Sequence, residues 1–208
     1  DAVDYRVPEP DKGVEVNLET GRATGAGIDK LVNVEVAIGT EANDRLIGGA
    51  EGNTLIGLYG HDLLRGGAGD DCLDPGGDSN RAFGDEGFDY YGHDAGQPLR
   101  RFACKFYPDE GYIGVFESPI TVDLEAGTAT GRFEVSRLKG IEGAFGTPDG
   151  DKLRGDNANN YFYGGPGNDS IEGRAGDDFL NGTGGKDTLD GGEGTDECVN
   201  GEINLLCE

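Results

Sequence analysis

The sequence has little positive charge, almost no histidine and no long apolar run, and each shortage closes off a class of function. Seventeen lysines and arginines face forty-one aspartates and glutamates across 208 residues, for a formal charge of −24. A chain this acidic is repelled by nucleic acid and by anionic membrane surfaces. No apolar stretch approaches the roughly eighteen residues that a membrane helix needs. None reads as a secretory leader, which processing can remove. The two histidines, His61 and His93, and the four cysteines do not form a zinc spacing. Neither a GxSxG elbow, an HExxH helix nor a phosphate-cradling glycine loop is present. Paired carboxylates, the tools of glycosidases, are plentiful but periodic. We therefore expect no catalytic residue.

Glycine is abundant, at 40 residues, and its placement is strict. From Gly164 to Val199 the chain reads GGPGNDSIE, GRAGDDFLN, GTGGKDTLD, GGEGTDECV, with no residue between units. Asp169, Asp178, Asp187 and Asp196 fall nine apart, and so do Ile171, Leu180, Leu189 and Cys198. The composition by itself would suit a disordered linker, but the period argues for a repeat architecture. A six-residue turn followed by a three-residue strand makes half a coil. Each strand then turns one residue inward and its two neighbours outward, and the glycines supply the positive φ that the turns demand.

The motif GGxGxDxUx, with U a large apolar residue, resembles the RTX (repeats-in-toxin) calcium-binding repeats. Units begin at Gly39, Gly48, Gly57, Gly66, Pro75 and Gly84, and again at Gly146, Gly155, Gly164, Gly173, Gly182 and Gly191. The resemblance implies an all-β fold, a right-handed parallel β-roll solenoid. It also implies calcium ligands at Asp44, Asn53, Asp62, Asp71, Asn80, Asp89, Asp151, Asn160, Asp169, Asp178, Asp187 and Asp196. Backbone carbonyls of Gly60, Gly67, Gly69, Gly87, Gly165, Gly167, Gly176, Gly185, Gly192 and Gly194 would join them. Calcium takes six to eight hard oxygens, which such turns can offer. Neighbouring units lie on opposite edges, so rungs stack in steps of two repeats. Three rungs per edge in each half enclose room for about eight ions in all.

The chain is duplicated. Val16, Leu18, Gly21 and Thr24 recur as Val122, Leu124, Gly127 and Thr130, each 106 residues on. Both copies lie in a lead-in of the kind that RTX proteins carry, and alternation of Val14, Val16 and Leu18 predicts a strand there. The expectation is two rolls, each started by capping strands, over residues 1–92 and 120–208. Residues 1–5 read as the tail of a further unit, with Asp1 at the ligand position and Val3 inward. A hairpin insertion spans 93–119, turning at Pro108-Asp109-Glu110-Gly111.

The insertion is read first as a cap on the first roll. A second reading makes residues 100–116, with Arg100, Arg101 and Lys105, a contact for a protein partner. Four cysteines in a calcium module suggest an oxidising, extracellular setting, with disulfides Cys198–Cys207 and Cys72–Cys104. Together these features predict a secreted, monomeric calcium-binding module whose folding depends on the ion. The alternative is an adhesion or interaction spacer of a larger secreted protein.

Overall fold

The computed structural model describes residues 1–6, 12–25, 27–92, 119–131 and 135–207, and these contain strands and turns but no helix. The expected hairpin over 93–119, its basic cluster and Cys104 lie outside the described residues. Strands of three residues recur at each rung. Four of them, Leu63–Ala68, Arg81–Glu86, Ser170–Ala175 and Thr188–Glu193, run on for six.

Two sheets of nine and thirteen strands form the walls of a parallel β-solenoid. In the nine-stranded wall, inward residues stack in register from Ala37 through Leu55, Leu73, Tyr91, Ala144, Phe162 and Leu180 to Cys198. In the other wall, Val16, Leu46, Leu64, Ala82 and Leu138 form one column, and Val122, Leu153, Ile171 and Leu189 another. Both walls point these residues into one core, where most have no exposed surface. The nine-residue period thus places one apolar side chain per strand on a shared axis, because strand side chains alternate faces.

The two halves lie end to end and share both walls. In the nine-stranded sheet Tyr90–Tyr91 pairs directly with Gly143–Phe145. In the thirteen-stranded sheet the second lead-in intervenes: Thr121–Asp123, Thr128–Thr130 and Val135–Lys139 form an antiparallel meander between the two columns. The first lead-in makes the same meander at the amino-terminal end. Ala2–Asp4 adds a strand beside Val36–Ile38, with Val3 opposite Ala37.

A second apolar layer lies on the outer face of the nine-stranded wall, which the repeat alone does not call for. Tyr90, Phe145 and Tyr163 are buried there with Cys72, against Phe88, Tyr161 and Phe179. Ring centroids stand 4.9 to 5.7 Å apart along this row, in the range for favourable ring packing.

At the carboxyl end, Ile203–Leu205 pairs with Thr188–Asp190, and the Cys198–Cys207 disulfide, with Cα atoms 5.7 Å apart, ties the last coil shut. Cys72 is disulfide-bonded as well.

Leu180 has no exposed surface and stacks between Phe162 and Cys198. Leu180→Ala should cost about 2–5 kcal/mol in denaturant unfolding at saturating calcium. Leu205→Ala, at a residue 47% exposed, should stay within about 0.5 kcal/mol.

Candidate metal centre

The residue before each strand lies at the inner edge of a turn, and all twelve expected ligand positions are buried there. They stack in steps of eighteen residues. The backbone N–H of Asp44 donates to Asp62 Oδ1 at 2.8 Å, and that of Asp62 to Asn80 Oδ1 at 2.7 Å. On the opposite edge Asn53 donates to Asp71 at 2.7 Å and Asp71 to Asp89 at 2.9 Å. The second half repeats the pattern through Asp151, Asp169 and Asp187, and through Asn160, Asp178 and Asp196, at 2.7 to 2.9 Å. Each rung's carboxylate therefore caps the rung before it with one oxygen.

The other oxygen is the informative one. Oδ2 of Asp62, Asp71, Asp89, Asp169, Asp178, Asp187 and Asp196 is buried and has no hydrogen-bond partner among the described residues. A buried polar atom left unpaired costs about 1–3 kcal/mol, and more when charged. Beside Asp71 and Asp178, a Cβ on Gly66 or Gly173 would collide with that oxygen and with the carbonyl of Gly84 or Gly191, one coil on. Glycine at the head of the unit leaves this space open, and carboxylate and carbonyl oxygens face it. The ten glycines whose carbonyls the resemblance marks as ligands all have positive φ. Among the described residues no three His, Cys, Asp or Glu side chains converge on one point. The oxygens that line these gaps are carboxylates and backbone carbonyls, the donor type that suits a hard cation with flexible coordination.

The remaining positions are satisfied without an ion. Asp44 accepts from the N–H groups of Val14 and Thr40, each at 2.6 Å. Asp151 accepts from Ile120 at 2.7 Å and from the Thr147 backbone and hydroxyl. Asn80 turns its amide onto its own turn, donating to the carbonyl of Gly77 at 2.8 Å. Asn53 and Asn160 accept from Gly49 at 2.6 Å and Asp156 at 2.9 Å. Their amides donate to the backbone of Glu35 and Glu142 at 3.4 and 3.3 Å.

Those glutamates escaped the sequence reading. Asn33, Gly140 and Asn200 each adopt positive φ, at 53°, 60° and 57°, and two residues later stand Glu35, Glu142 and Glu202. Each glutamate side chain accepts from the nitrogen of a rung aspartate: Asp1, Asp89 at 2.8 Å and Asp187 at 2.5 Å. Each backbone N–H returns a bond to the carbonyl of that same aspartate, at 2.9 to 3.1 Å. The recurring signal was present in the sequence as N-V-E, G-I-E and N-G-E.

Burial pushes the carboxyls of Asp62 and Asp71 up to about 8. It pushes Asp89 and Asp169 to about 7, and Asp178 to about 6. Neighbouring carboxylates add to the rise, as Asp89 does for Asp71 and Asp187 for Asp169. Burial and mutual repulsion thus both disfavour the charged carboxylates, and a nearby positive charge would offset them.

Stacked turns with open carboxylate oxygens on both edges define a β-roll with hard oxygen donors lined up between its coils. The RTX calcium-binding nonapeptide repeat matches the chain in four copies, over residues 38–73, 47–82, 145–180 and 163–198. RTX calcium-binding repeats are therefore present in both halves of the chain. No curated protein matches it.

Because the folded carboxyls titrate above their unfolded value of about 3.9, the folded state binds more protons than the unfolded one. That contribution is complete below about pH 4 and is lost as pH rises through 6 to 8. In the absence of calcium, melts followed by circular dichroism should give a midpoint that falls as pH rises from 4, until no transition remains near pH 7.5. A midpoint rising over that range would refute the assignment.

Proposed function

We propose that the chain is an extracellular calcium-binding module whose roll folds when calcium occupies the turns. The observation that carries this reading is that, among the described residues, seven of the rung aspartates hold a buried oxygen with no hydrogen-bond partner. Asp62, Asp71, Asp89, Asp169, Asp178, Asp187 and Asp196 would hold the ions, with turn carbonyls completing each site. Bound calcium supplies the positive charge that neutralises the stacked carboxylates. Asp44, Asp151 and the three asparagines serve as rungs closed by hydrogen bonds. The role is structural rather than catalytic, since every rung carboxylate is committed either to the ladder or to the ion.

The location follows from affinity and redox state. Extracellular calcium modules bind at about 10⁻⁴–10⁻³ M, far above cytosolic calcium, so the roll would stay open before export. The Cys198–Cys207 disulfide suits an oxidising compartment. Filling one site to a hundred times its dissociation constant adds about 2.7 kcal/mol, so several sites together outweigh the repulsion of a −24 chain.

Removal of calcium with excess chelator at pH 7.5 should collapse the strand signal in far-ultraviolet circular dichroism, and calcium should restore it. A spectrum indifferent to chelator would overturn the proposal.

Rung position gives a finer expectation. Asp178 bonds to Asn160 on one side and Asp196 on the other, so it borders two gaps of the repeat ladder. Titration calorimetry on Asp178→Ala should show a larger loss of bound calcium than on Asp196→Ala. Equal losses would rule out sharing of ions between successive rungs.

A further inference from the structure

The two edges cross the junction between the halves differently. On one edge Asn80 closes its own turn, its carbonyl accepts from the N–H of Arg137 at 2.9 Å, and the lead-in meander separates it from Asp151. On the other edge the ladder does not stop. Asp89 passes its N–H to Glu142 Oε2 at 2.8 Å, and the Glu142 carbonyl accepts from Asn160 Nδ2 at 3.3 Å and from the Tyr161 N–H at 3.1 Å. Glu142 therefore stands where a repeat aspartate would stand, although no nonapeptide contains it. Its extra methylene spans the shorter approach, two residues after Gly140 instead of five after a unit's leading glycine.

The junction also keeps an open oxygen. Asp89 has no exposed surface, and its Oδ2 has no partner. A Cβ on Gly84 would collide with this oxygen and with the carbonyl of Gly140, the arrangement found beside Asp71 and Asp178 within the repeats. Among the described residues, carboxylates surround the pair: Glu142, Asp70 and Asp85 act on Asp89, and Asp156 and Asp70 act on Glu142.

The geometry points to a calcium site at this junction, held by Asp89, Glu142 and the Gly140 carbonyl, that joins the two halves into one cooperative unit. It rests on the calcium reading above but adds Glu142 and Gly140, which lie outside the repeat. With the site filled, the rungs Asn53, Asp71, Asp89, Glu142, Asn160, Asp178 and Asp196 form one continuous edge, with ions held at its carboxylates on both sides of the junction. The halves then share a ligand as well as sheets, so folding of either favours the other.

The test is calcium titration calorimetry on the full chain and on Glu142→Gln, which keeps an acceptor for the Asp89 N–H but removes the charge. The variant should bind one calcium equivalent fewer than the parent. In saturating calcium it should melt in two steps where the parent melts in one. Glu172→Gln, on a half-exposed outer face, should lose no equivalent. Should Glu142→Gln fail to fold, Glu142→Asp retains the charge and should weaken one equivalent at least tenfold while leaving the others unchanged. Full stoichiometry at parental affinity in the folded Glu142 variant would overturn the junction site and leave the wider reading standing. A parent chain that bound no calcium would overturn both.

Discussion

The structure depends on how each turn disposes of one aspartate. One carboxylate oxygen closes the N–H of the preceding rung, and this bond sets the spacing of the coils. The same bond draws the carboxylate out of water and leaves its second oxygen with no protein partner. The stacking of the coils and the open oxygen are thus consequences of a single contact. A neutral acceptor would close the ladder equally well, as Asn80 does, but it would not demand a cation.

The exceptions to the repeat make sense on the same terms. A ladder must begin somewhere, and its first rung has no coil beneath it to accept from. In each half that rung is served by a threonine four residues earlier, Thr40 for Asp44 and Thr147 for Asp151, and by a lead-in N–H. On the other edge the first rung is an asparagine whose amide reaches a glutamate carbonyl. Neutral or fully bonded groups therefore stand at the starts, and partnerless carboxylates stand farther along. Charge is concentrated where an ion can reach two coils at once.

Stacking the halves end to end also settles an edge problem. Two separate rolls would present four open ends, whose strand edges pair readily with other chains. Pairing Tyr90–Tyr91 with Gly143–Phe145, and Arg81–Phe83 with Arg137–Lys139, removes two of these. Glu202, the strand Ile203–Leu205 and the Cys198–Cys207 disulfide close the carboxyl end.

Most of the architecture was legible in the sequence because a solenoid is built from local rules. A nine-residue period specifies the turn, the inward residue and the rung together, and a slip of one residue would turn every apolar side chain outward. So the columns of Leu55, Leu73, Phe162 and Leu180, and the eighteen-residue stacking of the aspartates, could be read from spacing alone. Only the tertiary structure decided three things. It distinguished aspartates with an open oxygen from those already bonded, because that depends on threonines and lead-in N–H groups brought in from other strands. It assembled the aromatic row of Tyr90, Phe145 and Tyr163, whose members come from coils on both sides of the junction. It also placed Glu142 above Asp89, 53 residues apart in the chain, because that register is set by sheet pairing across the junction, where the period is interrupted.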